Sequence, residues 1–169
     1  INNAGAGKIG NVWELDCAYQ GGMISLNCRS VVEISAITIP YMSKGSQIIN
    51  TCSIASFAPT PRMTVYSSTK AFVLSFSKGL RVELKKKGIN CLAVCPCPMN
   101  TEFLEKGEIT GKSKTFDALP NCDPVKVAHR SLKKSARGRG IYTPKALYKF
   151  YRVVAKLLPH GLVMKFSKL

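Results

Sequence analysis

Short runs of branched apolar residues alternate with longer helical stretches, and this alternation restricts the fold more than any other feature of the sequence. The runs that predict strands are residues 46–51, 89–96 and 140–143. Helices are predicted from about Ile24 to Met42, from about Tyr66 to Lys86, and from the capping pair Asp123-Pro124 onward. Strands and helices of these lengths form βαβ units, so we expect a parallel sheet covered by helices.

The composition is that of one globular domain with a real core. Of the 169 residues, 46% are hydrophobic and 20% are charged, and no apolar stretch approaches the roughly 18 to 20 residues that span a bilayer. Seven cysteines, several of them in apolar runs, favour free thiols in a reducing, cytoplasmic setting. Cys95 and Cys97 lack a second Cys or His pair at short spacing, so no metal site is predicted.

The net charge of +16 suggests an anionic partner. A nucleic acid, a membrane surface and a phosphate-bearing ligand all fit such a charge, but no nucleic-acid-binding motif is present. The segment 144–169 combines apolar residues at helical spacing with several Lys and Arg. It either packs against the domain, which we favour, or makes peripheral contact with a membrane.

Tyr66 and Lys70 stand four residues apart in the second predicted helix, so their side chains point the same way. An ammonium beside a phenol lowers the phenol pKa, which would make Tyr66 a proton donor and acceptor near neutral pH. The alternative is an ordinary helix face, because Tyr-x-x-x-Lys is common. Ser53 lies thirteen residues before Tyr66, just past a predicted buried strand.

These residues together carry a resemblance to a known family. "NNAG" at 2–5 closes what reads as the first strand, Ser53, Tyr66 and Lys70 follow, and Thr101 comes shortly after Pro96. In this order and spacing, over nearly the whole chain, the sequence resembles the short-chain dehydrogenase/reductase family. The resemblance implies an α/β fold, a three-layer Rossmann-like doubly wound parallel sheet that is incomplete at its N-terminal side.

The resemblance also implies hydride transfer between NAD(P)(H) and a carbonyl or alcohol substrate. Tyr66 would act as general acid/base, and Lys70 would hold the ribose hydroxyls and lower the Tyr66 pKa. Ser53 would bind the substrate oxygen, and Asn27 would hold a water in a proton relay toward the lysine. Ser53 as a turn serine and Asn27 as a polar helix-end residue are the structural alternatives.

Further cofactor contacts carry over from the family, in addition to Tyr66 and Lys70. The residues matching the adenine side are Asn2, Ala4 and Gly5, and those matching the nicotinamide side are Pro96, Met99 and Thr101. NADP is favoured over NAD. Cys97 follows Pro96 where the family usually has glycine, a residue that permits close backbone approach.

The glycine-rich turn that cradles the cofactor pyrophosphate in this family is absent from the sequence. We therefore expect residues 1–169 to be a partial domain, its C-terminal two thirds, with 101–122 as substrate loop. The alternative is an inactive fragment or binding module that retains the site residues. When complete, such a protein is expected to be a homodimer or homotetramer.

The missing turn predicts that the 169-residue chain alone binds NADPH weakly or not at all, because backbone donors to the pyrophosphate are lacking. Fluorescence titration of the purified chain with NADPH measures this directly. Binding in the low-micromolar range would contradict the expectation.

Overall fold

The computed structural model describes residues 1–109, 111 and 117–166, and within them three parallel strands form a sheet in the order β1-β2-β3. The strands are β1 Gln47–Thr51, β2 Asn90–Val94 and β3 Ile141–Tyr142, each inside a predicted run but shorter than it. In register, Thr51 faces Val94 and Val94 faces Tyr142. The carboxyl ends of the strands therefore meet at one edge of the sheet.

The predicted first strand at "NNAG" is reduced to one parallel bridge between Asn2 and Asn50. The Asn2 amide donates to the Ile49 carbonyl at 2.9 Å, and the Thr51 amide donates to the Asn2 carbonyl at 2.9 Å. The segment that begins at Asn2 thus lies beside β1, on the side opposite β2.

The prediction of the first helix is wrong in two respects, because the helix begins earlier than predicted and is not continuous. It consists of α1 Cys17–Ile24, a π-helical turn Ser25–Arg29 and α2 Ser30–Thr38, followed by a 3₁₀ turn Ile39–Tyr41. The Asp16 side chain caps α1 by accepting from the Tyr19 amide at 2.7 Å. The sequence pattern did not predict this early beginning, because Gly21 and Gly22 are both poor helix formers.

The second predicted helix is confirmed as α3 Thr64–Glu83, which continues as a 3₁₀ turn to Lys87. It ends at Gly88, whose φ of 66° is the left-handed conformation that glycine adopts without steric cost. A further 3₁₀ turn, Ile54–Ser56, follows β1 and packs against α3.

The remaining helices come from the second half of the chain. They are α4 Glu102–Lys106, α5 Pro124–Ala136, α6 Ala146–Leu157 and α7 His160–Phe166. The predicted beginning of α5 is confirmed, since the Asp123 side chain accepts from the Lys126 amide at 3.1 Å. The predicted loop 101–122 contains α4, and its residues 110 and 112–116 lie outside the described residues.

Side chains of the sheet alternate between two apolar clusters, one on each face. Cys91 and Ala93 point toward α2 and α3, whereas Leu92 and Val94 point toward α5 and α6. Leu92 and Ala93 are both fully buried, as expected for a sheet covered on both faces. This arrangement confirms the predicted three-layer, Rossmann-like α/β fold.

Candidate active site

The first turns of α3 place Tyr66 and Lys70 on the helix face that meets the sheet. Tyr66 is 8% exposed and Lys70 is 4% exposed. The Lys70 ammonium donates to the Thr51 carbonyl at 2.9 Å and lies 5.8 Å from the centre of the Tyr66 ring. The bond attaches α3 to the carboxyl end of β1 and holds a buried cation against a carbonyl dipole.

Ser53 follows β1 and begins the turn Ile54–Ser56, with its hydroxyl accepting from the Ala55 amide at 3.1 Å. Sheet-like pairing continues past the strands, since the Ile54 amide donates to the Pro96 carbonyl at 3.0 Å. The Ser53 side chain lies close enough to the Tyr66 hydroxyl to act on the phenol pKa, which it lowers. The turn therefore brings together the serine and tyrosine that are thirteen residues apart in sequence.

Asn27 lies in the π-helical turn and is 1% exposed. Its Oδ1 accepts from the Ala6 amide at 2.9 Å, and its Nδ2 donates to the Ala6 carbonyl at 2.8 Å and to Thr69 Oγ1 at 2.9 Å. Thr69 Oγ1 in turn donates to the Tyr66 carbonyl at 2.8 Å. The Asn27 amide thus connects the turn after Asn2 to α3 between Tyr66 and Lys70.

The pKa of Tyr66 differs from the sequence expectation. Burial raises it to about 12, although the Ser53 side chain acts in the opposite direction. Burial also lowers the Lys70 pKa. The expected lowering of the phenol pKa by Lys70 is therefore wrong for this structure, because desolvation dominates and the ammonium is directed at Thr51. At neutral pH the phenol is protonated and can donate.

Helix α4 and the residues after it cover Tyr66. The rings of Phe103 and Tyr66 lie 5.5 Å apart, and Ile109 is fully buried in the same cluster. Close approach requires glycine at two positions: a Cβ on Gly7 would lie 2.6 Å from Phe103 Cζ, and one on Gly107 would lie 2.5 Å from the Gly7 carbonyl oxygen. Phe103 and Thr69 were not predicted as site residues, since no motif distinguishes them.

The residues matched to the adenine side occupy different environments. The Asn2 side chain donates to Asn50 Oδ1 at 2.8 Å and to Ser35 Oγ at 3.3 Å, away from Tyr66. Ala4 is exposed. Gly5 approaches the centre of the site, because a Cβ there would lie 3.2 Å from both Asn27 Oδ1 and Lys70 Nζ.

The residues matched to the nicotinamide side follow β2. Pro96 is buried, Thr101 precedes α4, and Met99 packs against the apolar cluster of α5 and α6 rather than toward Tyr66. Cys97 forms a disulfide with Cys122, so the expectation of free thiols is wrong for this pair. Cys17, Cys28, Cys52, Cys91 and Cys95 are free.

Fold and site together define a Rossmann-type α/β protein with Ser53, Tyr66 and Lys70 assembled at the carboxyl ends of parallel strands. The sequence profile of the family described as short chain dehydrogenase matches residues 1–110. The chain belongs to this family.

The similar proteins include a curated relative and two solved structures. The very-long-chain 3-oxoacyl-CoA reductase-B of Danio rerio is 33% identical over 159 residues, which is 92% of this chain and 48% of the relative. A short-chain dehydrogenase from Sphingobium yanoikuyae, solved in complex with NADPH, is 26% identical with a TM-score of 0.78, covering 96% of this chain and 63% of that one.

The second structure is the bulky-bulky ketone specific alcohol dehydrogenase from Comamonas testosteroni. It is 26% identical with a TM-score of 0.69, and the match covers 96% of this chain and 60% of that one. The chain thus spans about half the length of the curated relative and under two thirds of each structure.

The raised Tyr66 pKa predicts how stability depends on pH. The phenol ionises near pH 10 in the unfolded chain and near pH 12 in the folded one. Its contribution to the free energy of unfolding is therefore complete below pH 10 and is lost as the pH rises to 12. A two-unit difference corresponds to about 2 to 3 kcal/mol. Urea unfolding of the chain between pH 9 and 12 should show a steeper loss of stability than in Tyr66→Phe.

The matched control for this experiment is Tyr41→Phe, at a site that is 87% exposed. It should retain the steep pH dependence of the parent chain. Equal slopes for the parent chain and Tyr66→Phe would contradict the buried, neutral phenol.

Proposed function

We propose that this chain carries the catalytic half of an NAD(P)-dependent oxidoreductase that interconverts a carbonyl and an alcohol. One observation carries the proposal: the buried Tyr66 phenol lies beside the Ser53 side chain at the end of β1, with the Lys70 ammonium 5.8 Å from the centre of the Tyr66 ring. A protonated phenol beside a second hydroxyl can bind one carbonyl oxygen with two donors. Membership of the short-chain dehydrogenase family supports this proposal.

Each residue then has a defined task. Tyr66 donates its phenolic proton to the substrate oxygen in reduction, or removes it in oxidation, and Ser53 stabilises the charge developing on that oxygen. Lys70, whose ammonium donates to the Thr51 carbonyl and lies 5.8 Å from the centre of the Tyr66 ring, supplies positive charge that favours the phenolate once proton transfer begins. Asn27 acts as a positioning residue and holds the site end of α3 through Thr69.

The residues present fit a dinucleotide on the side of Gly5. The absence of a Cβ lets the Gly5 backbone pass close to the Lys70 ammonium, and that ammonium can donate to ribose hydroxyls. When bound, the cofactor supplies or accepts the hydride at the substrate carbon. NADP or NAD is proposed, with NADP favoured; the Sphingobium yanoikuyae enzyme was solved with NADPH.

For the substrate, we propose an apolar carbonyl compound and rank 3-oxoacyl thioesters first. The half-buried side chains of Phe103 and Leu104 give the covered side of Tyr66 an apolar surface. The Danio rerio relative is a reductase of very-long-chain 3-oxoacyl-CoA. Apolar walls of this kind bind alkyl chains by burial of their surface.

Tyr66→Phe tests the proposal in the protein that carries this chain together with its upstream coding region. Removing the phenolic proton should lower kcat for NADPH-dependent carbonyl reduction by at least about 100-fold, the usual contribution of a general acid. The Kd for NADPH should change little, and Tyr41→Phe should match the parent in both. Unchanged turnover in Tyr66→Phe would reject the assignment.

We also propose peripheral contact with an anionic membrane through the second half of the chain. Every Asp and Glu of the sequence lies before residue 124, whereas twelve of its 25 Lys and Arg lie after it. Along and beyond α6, apolar side chains are exposed at helical spacing: Leu147, Phe150, Val153, Leu157 and Leu158. No helix in the described part of the chain has the length and apolarity needed to cross a bilayer.

Vesicle sedimentation tests this contact. Binding to vesicles containing about one third phosphatidylserine should weaken with added salt, because each basic residue near the surface contributes about 1 kcal/mol. The double variant Phe150→Glu, Leu157→Glu should bind at least about tenfold more weakly, whereas Val82→Glu, at a 73% exposed site on α3, should not. Equal binding of all three proteins would exclude this surface.

A homodimer or homotetramer is proposed through the exposed side of α2 and α3. Phe72 is 46% exposed, its ring is stacked on Phe76, and Ile37 on α2 is 68% exposed. Sedimentation equilibrium of the protein with its upstream region should give the mass of a dimer or a tetramer, and Phe72→Glu should shift that mass toward the monomer. A monomeric parent would contradict this proposal.

We propose a cytoplasmic location, since five cysteines remain free thiols.

A further inference from the structure

A disulfide joins the segment that follows β2 to the segment that precedes α5. Cys97 comes directly after Pro96, and Cys122 comes directly before Asp123, the residue that caps α5. Their Cα atoms lie 5.8 Å apart. We propose that the Cys97–Cys122 pair is a redox-controlled clasp that holds residues 96–101 against the beginning of α5.

The two segments meet whether or not the sulfurs are bonded. The Cys122 amide donates to the Pro98 carbonyl at 2.8 Å. Both cysteines belong to one apolar cluster with Leu92 and Tyr148, where a free thiol packs as a small hydrophobe. A Cα separation of 5.8 Å is typical of disulfides, so oxidation requires no rearrangement of the backbone. The fold therefore accommodates both redox states.

Reagents can reach the clasp from the Cys122 side. Cys122 is 7% exposed, but its neighbours Asn121 and Asp123 are exposed, so displacement of a short surface segment uncovers the sulfur. The strand thiol of Cys91 is fully buried, and burial raises its pKa to about 11. A neutral, buried thiol reacts slowly, so Cys91 does not compete with Cys122 for the oxidant.

Glutathione disulfide is the proposed oxidant. The Cys122 thiolate attacks one of its sulfurs, which forms a mixed disulfide and releases the first glutathione. Cys97 then attacks the Cys122 sulfur, the mixed disulfide breaks, and the second glutathione leaves. Two protein thiols are oxidised, glutathione disulfide is reduced to two thiols, and the two protons from the cysteines end on the glutathiones.

The functional consequence rests on the proposed function. Residues 96–101 contain the predicted nicotinamide contacts Pro96, Met99 and Thr101. In the reduced state this segment keeps the hydrogen bond from the Cys122 amide and the packing of Met99, but it loses its covalent link to the segment that precedes α5. Oxidation pre-organises the segment and lowers the cost of ordering it on binding. The oxidised protein should therefore have a KM for NADPH about threefold to tenfold lower, with kcat nearly unchanged.

The clasp itself is tested on this chain without any assay of activity. The chain is equilibrated in buffers of varied glutathione and glutathione disulfide, quenched by alkylation and mapped by peptide mass spectrometry. A Cys97–Cys122 peptide pair that appears and disappears across these ratios supports the proposal. Absence of this pair at every ratio, its persistence in excess glutathione, or a Cys52–Cys95 pair in its place would overturn it.

Cys122→Ala and Cys97→Ala should each abolish the cross-linked pair, whereas Cys17→Ala, at an exposed free thiol, should leave it intact.

In the protein with its upstream region, both clasp variants should show the higher KM for NADPH in oxidising buffer. A KM that does not depend on the redox buffer would overturn the cofactor effect. Absence of all turnover would instead refute the proposed function, and the mapping result would stand independently.

Discussion

The buried bond between the Lys70 ammonium and the Thr51 carbonyl determines where the rest of the site lies. An ammonium that is 4% exposed is costly unless hydrogen bonds compensate for its lost hydration. The 2.9 Å bond to Thr51 provides one such contact at the last residue of β1. It fixes α3 over the end of the strand, so that Tyr66, one turn earlier, meets Ser53 just beyond the same strand end.

A second polar connection fixes the turn after Asn2 against the same helix. Asn27 makes three hydrogen bonds with its amide group, two to the Ala6 backbone and one to Thr69. Because Asn27 lies in a π-helical turn, the local helix geometry departs from the α-helical ladder where this amide is needed. Gly5 then passes close to Lys70, since a side chain there would contact the ammonium. The position of Gly5 beside the site depends on these two connections.

Much of this arrangement could be predicted from sequence, and the reason differs from residue to residue. Tyr66 and Lys70 share a helix face because their spacing is one turn, and Ser53 follows a strand whose apolar run is plain in the sequence. Thr69 and Phe103 could not be predicted, because their roles come from contacts across the fold. The rise in the Tyr66 pKa could not be predicted either, since it depends on burial by α4 and its neighbours. The Cys97–Cys122 pair depends on how two distant segments meet.

Tyr66, Ser53 and Lys70 are proposed to serve one step, a direct hydride transfer to a carbonyl carbon. It is tested by reducing a 3-oxoacyl thioester with NADPH deuterated at both C4 positions of the nicotinamide, using the protein that includes the upstream coding region. Mass spectrometry of the product should show one deuterium on the former carbonyl carbon, with the hydroxyl hydrogen derived from solvent. A product that carries only solvent hydrogen on that carbon would contradict direct hydride transfer from the cofactor.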